Sequence, residues 1–138
     1  AEGLGMQRAF YRLAMRPGKP LMAGRLGRAA MLGLPGNPVS AIVCAKLFMQ
    51  PLIRAMQGLP PGPDLAQAVL ARDLPPEGDR QHYHRARLLP GDTLPLIDPF
   101  SDQDSARLLL LAEADALLVR PAHDPARNAG EQVTFLAL

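Results

Sequence analysis

The apolar positions of the chain follow two different spacings, and these spacings predict different elements. Residues 21–23 and 29–32 form short apolar runs that are typical of buried strands. After Pro38 the apolar side chains recur at helical spacing until Gly58, a stop signal. The recurring residues are Ile42, Ala45, Met49, Leu52 and Met56. The first part of the chain is therefore predicted to contain two strands followed by one long helix.

The turn between the second run and the helix has specific chemistry. Asn37 suits the N-cap, Pro38 suits the first helical position, and Gly36 is expected to allow a backbone conformation that a side chain would oppose. Ser40 then falls in the first helical turn, beside unpaired N–H groups and the positive end of the helix dipole. Such a turn is a ready site for an oxyanion such as phosphate. An ordinary capped strand-to-helix turn accounts for the same residues.

A second candidate anion site precedes the first apolar run. Residues 16–20 read Arg-Pro-Gly-Lys-Pro, which places Arg16 and Lys19 on either side of a stiff turn. Arginine offers a planar fork to oxyanions and lysine a compact charge. The alternative is a solvated turn whose charges face water.

The second part of the chain predicts short strands separated by turns. Alternating side chains over 65–72 and 131–138 predict strands, and Val133, Phe135 and Ala137 share one face of the last strand. Asp102 or Asp104 can cap a short helix. The remaining predicted elements are strands over 81–89, 93–97 and 116–120, a turn at 90–92, and the helix through 108–112. This spacing suggests a small barrel or sandwich.

Charge separates the two parts as clearly as periodicity does. Residues 1–63 contain eight basic residues and one acid, a net charge of +7, whereas residues 64–138 contain seven basic and twelve acidic residues, a net charge of −5. Residues 59–63, Leu-Pro-Pro-Gly-Pro, stand at the change and cannot continue a helix. We predict one domain segment over 1–58, a linker over 59–63, and a second domain over 64–138.

Composition excludes several classes of protein. Aromatic residues make up only 4% of the chain, too few for the stacking platforms of single-stranded nucleic acid binders. No run of 18 apolar residues occurs, so no membrane span is predicted. Cys44, the one cysteine, excludes an internal disulfide and fits a reducing cytoplasm. Its place in the predicted helix indicates a buried small hydrophobe rather than a nucleophile.

The first part is short of both acids and strands. It has no carboxylate near either candidate anion loop, and two strands with one helix cannot cover both faces of a sheet. We therefore expect this chain to be the C-terminal piece of a longer protein.

In the second part, His82 and His84 share a strand face and could chelate a metal. Because no acid or cysteine occurs at a matching spacing, no metal ligand is assigned in this chain.

Three segments together resemble the molybdopterin molybdenumtransferase family, which includes bacterial MoeA and the E domain of gephyrin. They are Arg16–Pro20, Gly33–Ser40 (Gly-Leu-Pro-Gly-Asn-Pro-Val-Ser) and Leu47–Pro51 (Leu-Phe-Met-Gln-Pro). The resemblance continues more weakly through 80–85, 103–105 and 114–119. It implies an α/β fold class for the first part, as the last third of a molybdopterin-binding α/β domain. For the second part it implies a small all-β barrel.

The resemblance also implies an activity for the whole protein. Such an enzyme takes adenylated molybdopterin and molybdate, cleaves the adenylate, leaves molybdenum on the dithiolene and releases AMP. It uses Mg²⁺, whose ligands are expected in an upstream aspartate-bearing loop, and it is a cytoplasmic homodimer with a site shared between subunits. The molybdopterin adenylyltransferase is a candidate partner. This chain alone is expected to be inactive. The alternative is a non-catalytic or truncated homologue that binds molybdopterin or a protein partner without transfer.

The resemblance assigns roles to eight residues. Lys19 and Arg85 match catalytic positions. The residues matched to the binding of molybdate or phosphate are Arg16, Lys19, Pro20, Gly36, Asn37, Ser40, Arg85 and Ser105. In the implied dimer, Arg85 and Ser105 act in trans to Lys19. Two departures weaken the match, because Arg16 replaces a lysine and Asp104 replaces a glycine, which places a carboxylate beside an anion site.

Overall fold

The computed structural model describes residues 5–18, 20–104 and 108–138, without the side chains of Arg12 and Pro20. Nine strands and two stretches of helix follow one another along these ranges. The strands are β1 (Gln7–Arg12), β2 (Met15–Arg16), β3 (Pro20–Leu26), β4 (Ala29–Gly33), β5 (Leu65–Leu70), β6 (Gln81–Leu89), β7 (Leu96–Pro99), β8 (Ala116–Arg120) and β9 (Gln132–Ala137). The helices are α1 (Pro38–Cys44), a π-helical turn (Ala45–Met49) and α2 (Gln50–Met56), which run without a break, and then α3 (Leu108–Ala112).

The first part of the chain forms a three-stranded antiparallel sheet in the order β1-β3-β4. The predicted strands at 21–23 and 29–32 are confirmed as parts of β3 and β4. The sequence analysis missed β1, because its alternation of Arg8, Phe10 and Arg12 gives no apolar face. This strand instead pairs by its backbone at the sheet edge, with register shifts on either side of Phe10.

The long helix begins and ends where the sequence predicts. The Asn37 side chain accepts a hydrogen bond of 3.1 Å from the backbone N–H of Ser40, and Pro38 occupies the first turn. The π-helical turn was not foreseen. It lies directly before Pro51, and its wider ring, with the Gln50 N–H bonded to the Ala45 carbonyl, accommodates a proline that has no N–H to donate.

The long helix also bears on the prediction that the chain has no membrane span. Residues 38–56 form a 19-residue helix with a mean hydropathy of 1.4, enough to cross a membrane by length and composition. Two charges, Lys46 and Arg54, interrupt the apolar run without lowering its mean hydropathy below that of a span. Buried core helices pass the same test, so the absence of a membrane span stays a prediction. Val39, Val43 and Cys44 are buried inside the protein, and 22% of the candidate segment is buried in all.

The second part closes into a five-stranded barrel, which confirms the all-β prediction. The strands pair in the order β6-β7-β5-β9-β8, and β8 returns to pair with β6. Strands β6 and β8 have the predicted bounds. Strand β7 begins at Leu96 rather than at residue 93, because a tight turn precedes it: a Cβ on Gly91 would lie 2.1 Å from the Leu94 carbonyl oxygen.

Two apolar clusters hold the structure together. The barrel interior buries Leu70, Ile97, Leu118 and Phe135, among others. The second cluster lies outside the barrel, where Leu117 and Leu136 meet residues of the first part of the chain. Those residues are Met15, Leu21, Val43 and Cys44, all 5% exposed or less. The apolar face that residues 1–58 cannot cover alone is therefore covered by the barrel.

Candidate functional site

Three separate segments of the chain meet around an open pocket of about 320 Å³. The first is the loop around Arg16 and Gly18, the second is the helix start from Pro35 to Ser40, and the third comes from the barrel side. The barrel side contributes Arg80, Gln103 and Asp104. The two candidate anion loops of the sequence analysis are thus neighbours in space.

The helix start forms one wall of this pocket. Because Asn37 caps the helix, the backbone of the first turn is fixed, and Ser40 is only 7% exposed. The reasoning about Gly36 was wrong. Its φ is not in the left-handed region, and a Cβ there would meet nothing within 4 Å, so neither backbone strain nor crowding requires glycine. Gly36 nevertheless lines the pocket.

The loop that carries Arg16 is held from two directions. Strand β2 pairs in parallel with β6, with Arg16 opposite His82, and this pairing ties the loop to the barrel. On the other side, Gly18 packs against helix α1, where a Cβ would lie 2.6 Å from the Cys44 sulfur. Gly18 also has a φ of +111°, which favours glycine.

Cys44 serves this packing rather than any chemistry. It is fully buried, its thiol lies 4.0 Å from the Gly18 carbonyl oxygen, and burial raises its pKa to about 11. The thiol therefore stays protonated at neutral pH. This confirms the prediction of a buried small hydrophobe.

Arg85 lies behind the pocket rather than on its wall. The residue is 2% exposed, and its Nη2 donates to the Asp104 carbonyl oxygen at 3.0 Å. Gln103 bonds the Arg85 backbone twice: its Oε1 accepts from the N–H at 2.9 Å and its Nε2 donates to the carbonyl at 3.0 Å. Arg85 thus supports two pocket-lining residues, and burial lowers the pKa of its guanidinium without removing its charge.

Two of the residues assigned by resemblance, Lys19 and Ser105, lie outside the described residues, and so does the side chain of Pro20. Gly18 and Asp104, which precede them in the chain, both line the pocket. Of the remaining assigned residues, the pocket brings together Arg16, the helix-start residues and the loop supported by Arg85.

The sequence analysis gave no role to Arg80 and Gln103, although both fall in the weaker matching segments. Arg80 adds a second cation to the pocket, about as exposed as an ordinary surface arginine, with Asp79 at 3.7 Å. Gln103 has no charge to signal a role, and its importance lies in its hydrogen bonds to the strand of Arg85. Position in a matching segment is the only signal that could have identified it.

The charges of the pocket suit an anion better than a metal. Arg16 and Arg80 and the helix N-terminus supply positive potential, whereas Asp104 is the only carboxylate among the described lining residues. One carboxylate beside two guanidinium groups does not fit Mg²⁺, which needs oxygen ligands in an octahedral arrangement. The charges of the described lining residues therefore favour an oxyanion over Mg²⁺ at this pocket.

Comparisons with known proteins agree on one family. Residues 67–138 match the family described as MoeA C-terminal region (domain IV), and residues 2–55 match the probable molybdopterin binding domain. The molybdopterin molybdenumtransferase of Synechococcus elongatus is 36% identical over 99% of this chain and 33% of its own length. The protein of the same name from Bacillus subtilis is 28% identical over 99% of this chain and 32% of its own length.

Solved structures agree with the fold. A molybdopterin biosynthesis MoeA protein from Pyrococcus horikoshii superposes with a TM-score of 0.75 at 24% identity, over 99% of this chain and 33% of that protein. A molybdenum cofactor biosynthesis protein from Pyrococcus furiosus gives a TM-score of 0.69 at 22% identity, over 96% of this chain and 46% of that protein. The chain spans about a third of the length of the curated relatives it matches. On the two family matches, which together cover most of its residues, the chain belongs to the MoeA family of molybdenum cofactor biosynthesis proteins.

Proposed function

We propose that this chain is the C-terminal third of a molybdopterin molybdenumtransferase and that its pocket binds molybdate. One observation carries the proposal: the pocket joins Arg16, the capped helix start and the 103–104 loop, three segments that resemble the family at widely separated positions in the sequence. The reaction would join molybdate to adenylated molybdopterin and release AMP.

The pocket suits the chemistry that this reaction requires. Two oxyanions, molybdate and a phosphate, must be held close together despite their repulsion. Guanidinium groups and helix N–H donors, fixed in place before binding, lower that repulsion without reorganisation. Lys19, next to Gly18 of the pocket, would add a compact charge to the fork of Arg16. Any Mg²⁺ used by the enzyme would be held by residues outside this chain.

Activity can be tested in a chimera, because the chain spans only the last third of its relatives. Residues 1–138 would replace the corresponding C-terminal third of the Synechococcus elongatus protein, 36% identical to it. We expect molybdate-dependent release of AMP. Lys19→Ala should lower its rate by roughly tenfold to a hundredfold, since a charged hydrogen bond to an oxyanion is worth about 1.5–3 kcal/mol.

Lys46→Ala is the matched control for Lys19→Ala. Lys46 lies in the π-helical turn, and it is absent from the lining of the anion pocket. The chimera carrying this change should keep its activity. Equal losses in both variants would contradict a special role for Lys19.

Direct binding separates the anion site from turnover. Molybdate added to the protein in a calorimeter should bind, and Arg16→Ala should weaken that binding by roughly tenfold to a hundredfold. Asp104→Asn should strengthen it, because this change removes the one carboxylate among the described lining residues. Weaker binding by Asp104→Asn would refute the proposed location.

Asp104 also supports the alternative function, a homologue that binds molybdopterin or a protein partner without transfer. Its carboxylate lowers the affinity for a second anion in the pocket. The alternative predicts a chimera that binds molybdate yet releases no AMP. If the chain is instead part of an active transferase, the chimera should bind molybdate and also release AMP.

The pocket further supports a site whose Arg16 and Arg85 belong to one subunit. Within a single chain, Arg85 bonds Asp104, and Asp104 and Arg16 line the same pocket. This differs from the arrangement in trans that the resemblance suggested. We retain the cytoplasmic homodimer as a proposal, to be tested by light scattering of the chimera.

Subunit mixing distinguishes the two arrangements. Chimeras carrying Lys19→Ala and Arg85→Ala would be mixed and allowed to exchange. If both residues act within one subunit, every site in the mixed dimer keeps one lesion and activity stays lost. If they act in trans, half of the dimers are mixed, each with one intact site, and about a quarter of the activity should return.

A further inference from the structure

Three side chains of the types that ligate metals form a cluster, and none of them lines the anion pocket. Glu77, in the loop before β6, projects its carboxylate between His82 and His84 on that strand. The sequence alone did not assign a metal to His82 and His84, because no acid has a matching spacing and Glu77 lies outside the strand, in the loop before it. The three potential ligand atoms lie within 4.8 Å of one another.

We propose that Glu77, His82 and His84 form a binding site for a divalent transition metal of the zinc class. Each side chain offers one ligand atom: Nδ1 of His82, Nε2 of His84 and a carboxylate oxygen of Glu77. Two imidazoles and one carboxylate are a ligand set that zinc accepts, with a fourth position left for water.

One spacing between the ligand atoms matches a tetrahedral zinc site, and another is shorter than such a site requires. Ligands at about 2.0–2.1 Å from a tetrahedral zinc lie about 3.3 Å from one another. The Nδ1 of His82 is 3.3 Å from one carboxylate oxygen of Glu77. The Nε2 of His84 is 2.5 Å from the other, so this contact must open when a metal enters. The two rings face each other with centroids 3.8 Å apart.

The cluster is sheltered from water. The side chains of Glu77, His82 and His84 are 14%, 9% and 14% exposed. Burial lowers the pKa of both histidines, that of His82 to about 4, which leaves their imidazoles neutral at physiological pH. For Glu77, burial acts to raise the pKa, but hydrogen bonds with the histidines lower it overall.

Neighbouring charges limit the affinity without excluding the ion. Arg120 approaches Glu77 with its Nη1 at 3.9 Å, and this buried nitrogen has no hydrogen-bond partner among the described residues. Its charge is balanced by the buried carboxylate of Asp124. Arg16, opposite His82 on β2, is exposed to solvent, so water screens its repulsion.

The simplest test is titration of the purified protein with Zn²⁺ by calorimetry, with metal content measured after dialysis. We expect one ion for each chain. Glu77→Gln and His84→Gln should each weaken binding by about 100-fold or more, because even the loss of a supporting second-shell partner costs 10–100-fold. His123→Gln is the matched control, since His123 is exposed and lies outside the cluster. Binding that is equally strong in all variants would overturn the proposal.

A second measurement needs no substitution. The imidazole nitrogens of the unmodified protein can be followed by NMR while Zn²⁺ is added. The signals of His82 and His84 should shift in step with the calorimetric stoichiometry, and those of His123 should not. If the signals of His82 and His84 stay in place at saturating Zn²⁺, the cluster is a hydrogen-bonded network and the proposal is wrong.

Discussion

Arg120 provides the sharpest test of what stabilises the barrel. Its side chain is 1% exposed and forms a charged hydrogen bond from Nε to the carboxylate of Asp124. Its Nη2 also donates to the carbonyl oxygens of Pro75 at 3.1 Å and Pro125 at 2.9 Å. The residue therefore joins the loop before β6 to the loop after β8.

Arg120→Ala should lower the free energy of unfolding by about 3–5 kcal/mol, the cost of removing one partner of a buried pair. The change leaves Asp124, whose side chain is 5% exposed, without its buried cation, and only the partly exposed Arg127 remains bonded to it. Two loop carbonyls also lose their donor. The total stays below the sum of these losses because the loops can relax.

The assay is urea-induced unfolding followed by far-UV circular dichroism, with Arg87→Ala as the control. Arg87 pairs with Glu113, but their side chains are 51% and 45% exposed, so its loss should cost about 1 kcal/mol or less. The double change Arg120→Met with Asp124→Leu should lose less stability than Arg120→Ala, because it removes both buried charges together. Equal effects of Arg120→Ala and Arg87→Ala would refute the reasoning.

Four further predictions concern other parts of the fold. Burial lowers the pKa of His82 from 6.5 to about 4, so the unfolded chain binds more protons than the folded chain between these two pH values. The free energy of unfolding, measured with EDTA present, should therefore fall by about 3 kcal/mol as the pH drops from 7 to 4. The fall should be smaller in His82→Gln, which lacks this titrating group. Asn37→Ala should cost about 0.5–2 kcal/mol in urea unfolding through loss of the helix cap. Leu117→Ala should cost about 2–5 kcal/mol in the same assay, because Leu117 is fully buried between the barrel and the first part of the chain. Gly18→Ala should lower the melting temperature, and adding Cys44→Ala should recover part of the loss, since the new Cβ meets the Cys44 sulfur.

Local sequence patterns correctly predicted the helices and strands that are determined by residues close together in the sequence. The cap at Asn37 and the strands over 81–89 and 116–120 follow from turn chemistry and apolar spacing, and the structure confirms them. Strand β1 was missed because an edge strand can pair by its backbone without an apolar face. The π-helical turn was missed because Pro51 predicts a distortion of the helix but does not specify which backbone hydrogen bonds change.

The site depends more on contacts between distant segments, which periodicity does not encode. The resemblance supplied Arg16 and Arg85, yet it gave no sign that Arg85 would be buried behind Gln103 and Asp104. Leu117 illustrates the same limit, since its strand is apolar on both faces and only the folded chain shows what covers the outer one. Whether the domain bounds at 58 and 64 are correct stays a prediction.

Because of the two-residue strand β2, the linker at residues 59–63 is one of several connections between the two parts of the chain. Met15 and Arg16 pair with β6, the Gln81 N–H donates to the Ala14 carbonyl at 3.0 Å, and Leu117 completes a core shared with the first part of the chain. Residues 59–63 are exposed and belong to neither sheet. The segments on either side of this peptide are thus held by backbone pairing and apolar packing as well as by the covalent chain. A protease that cut at Gly62 would leave two fragments still bound to each other, and the anion pocket would survive the cut.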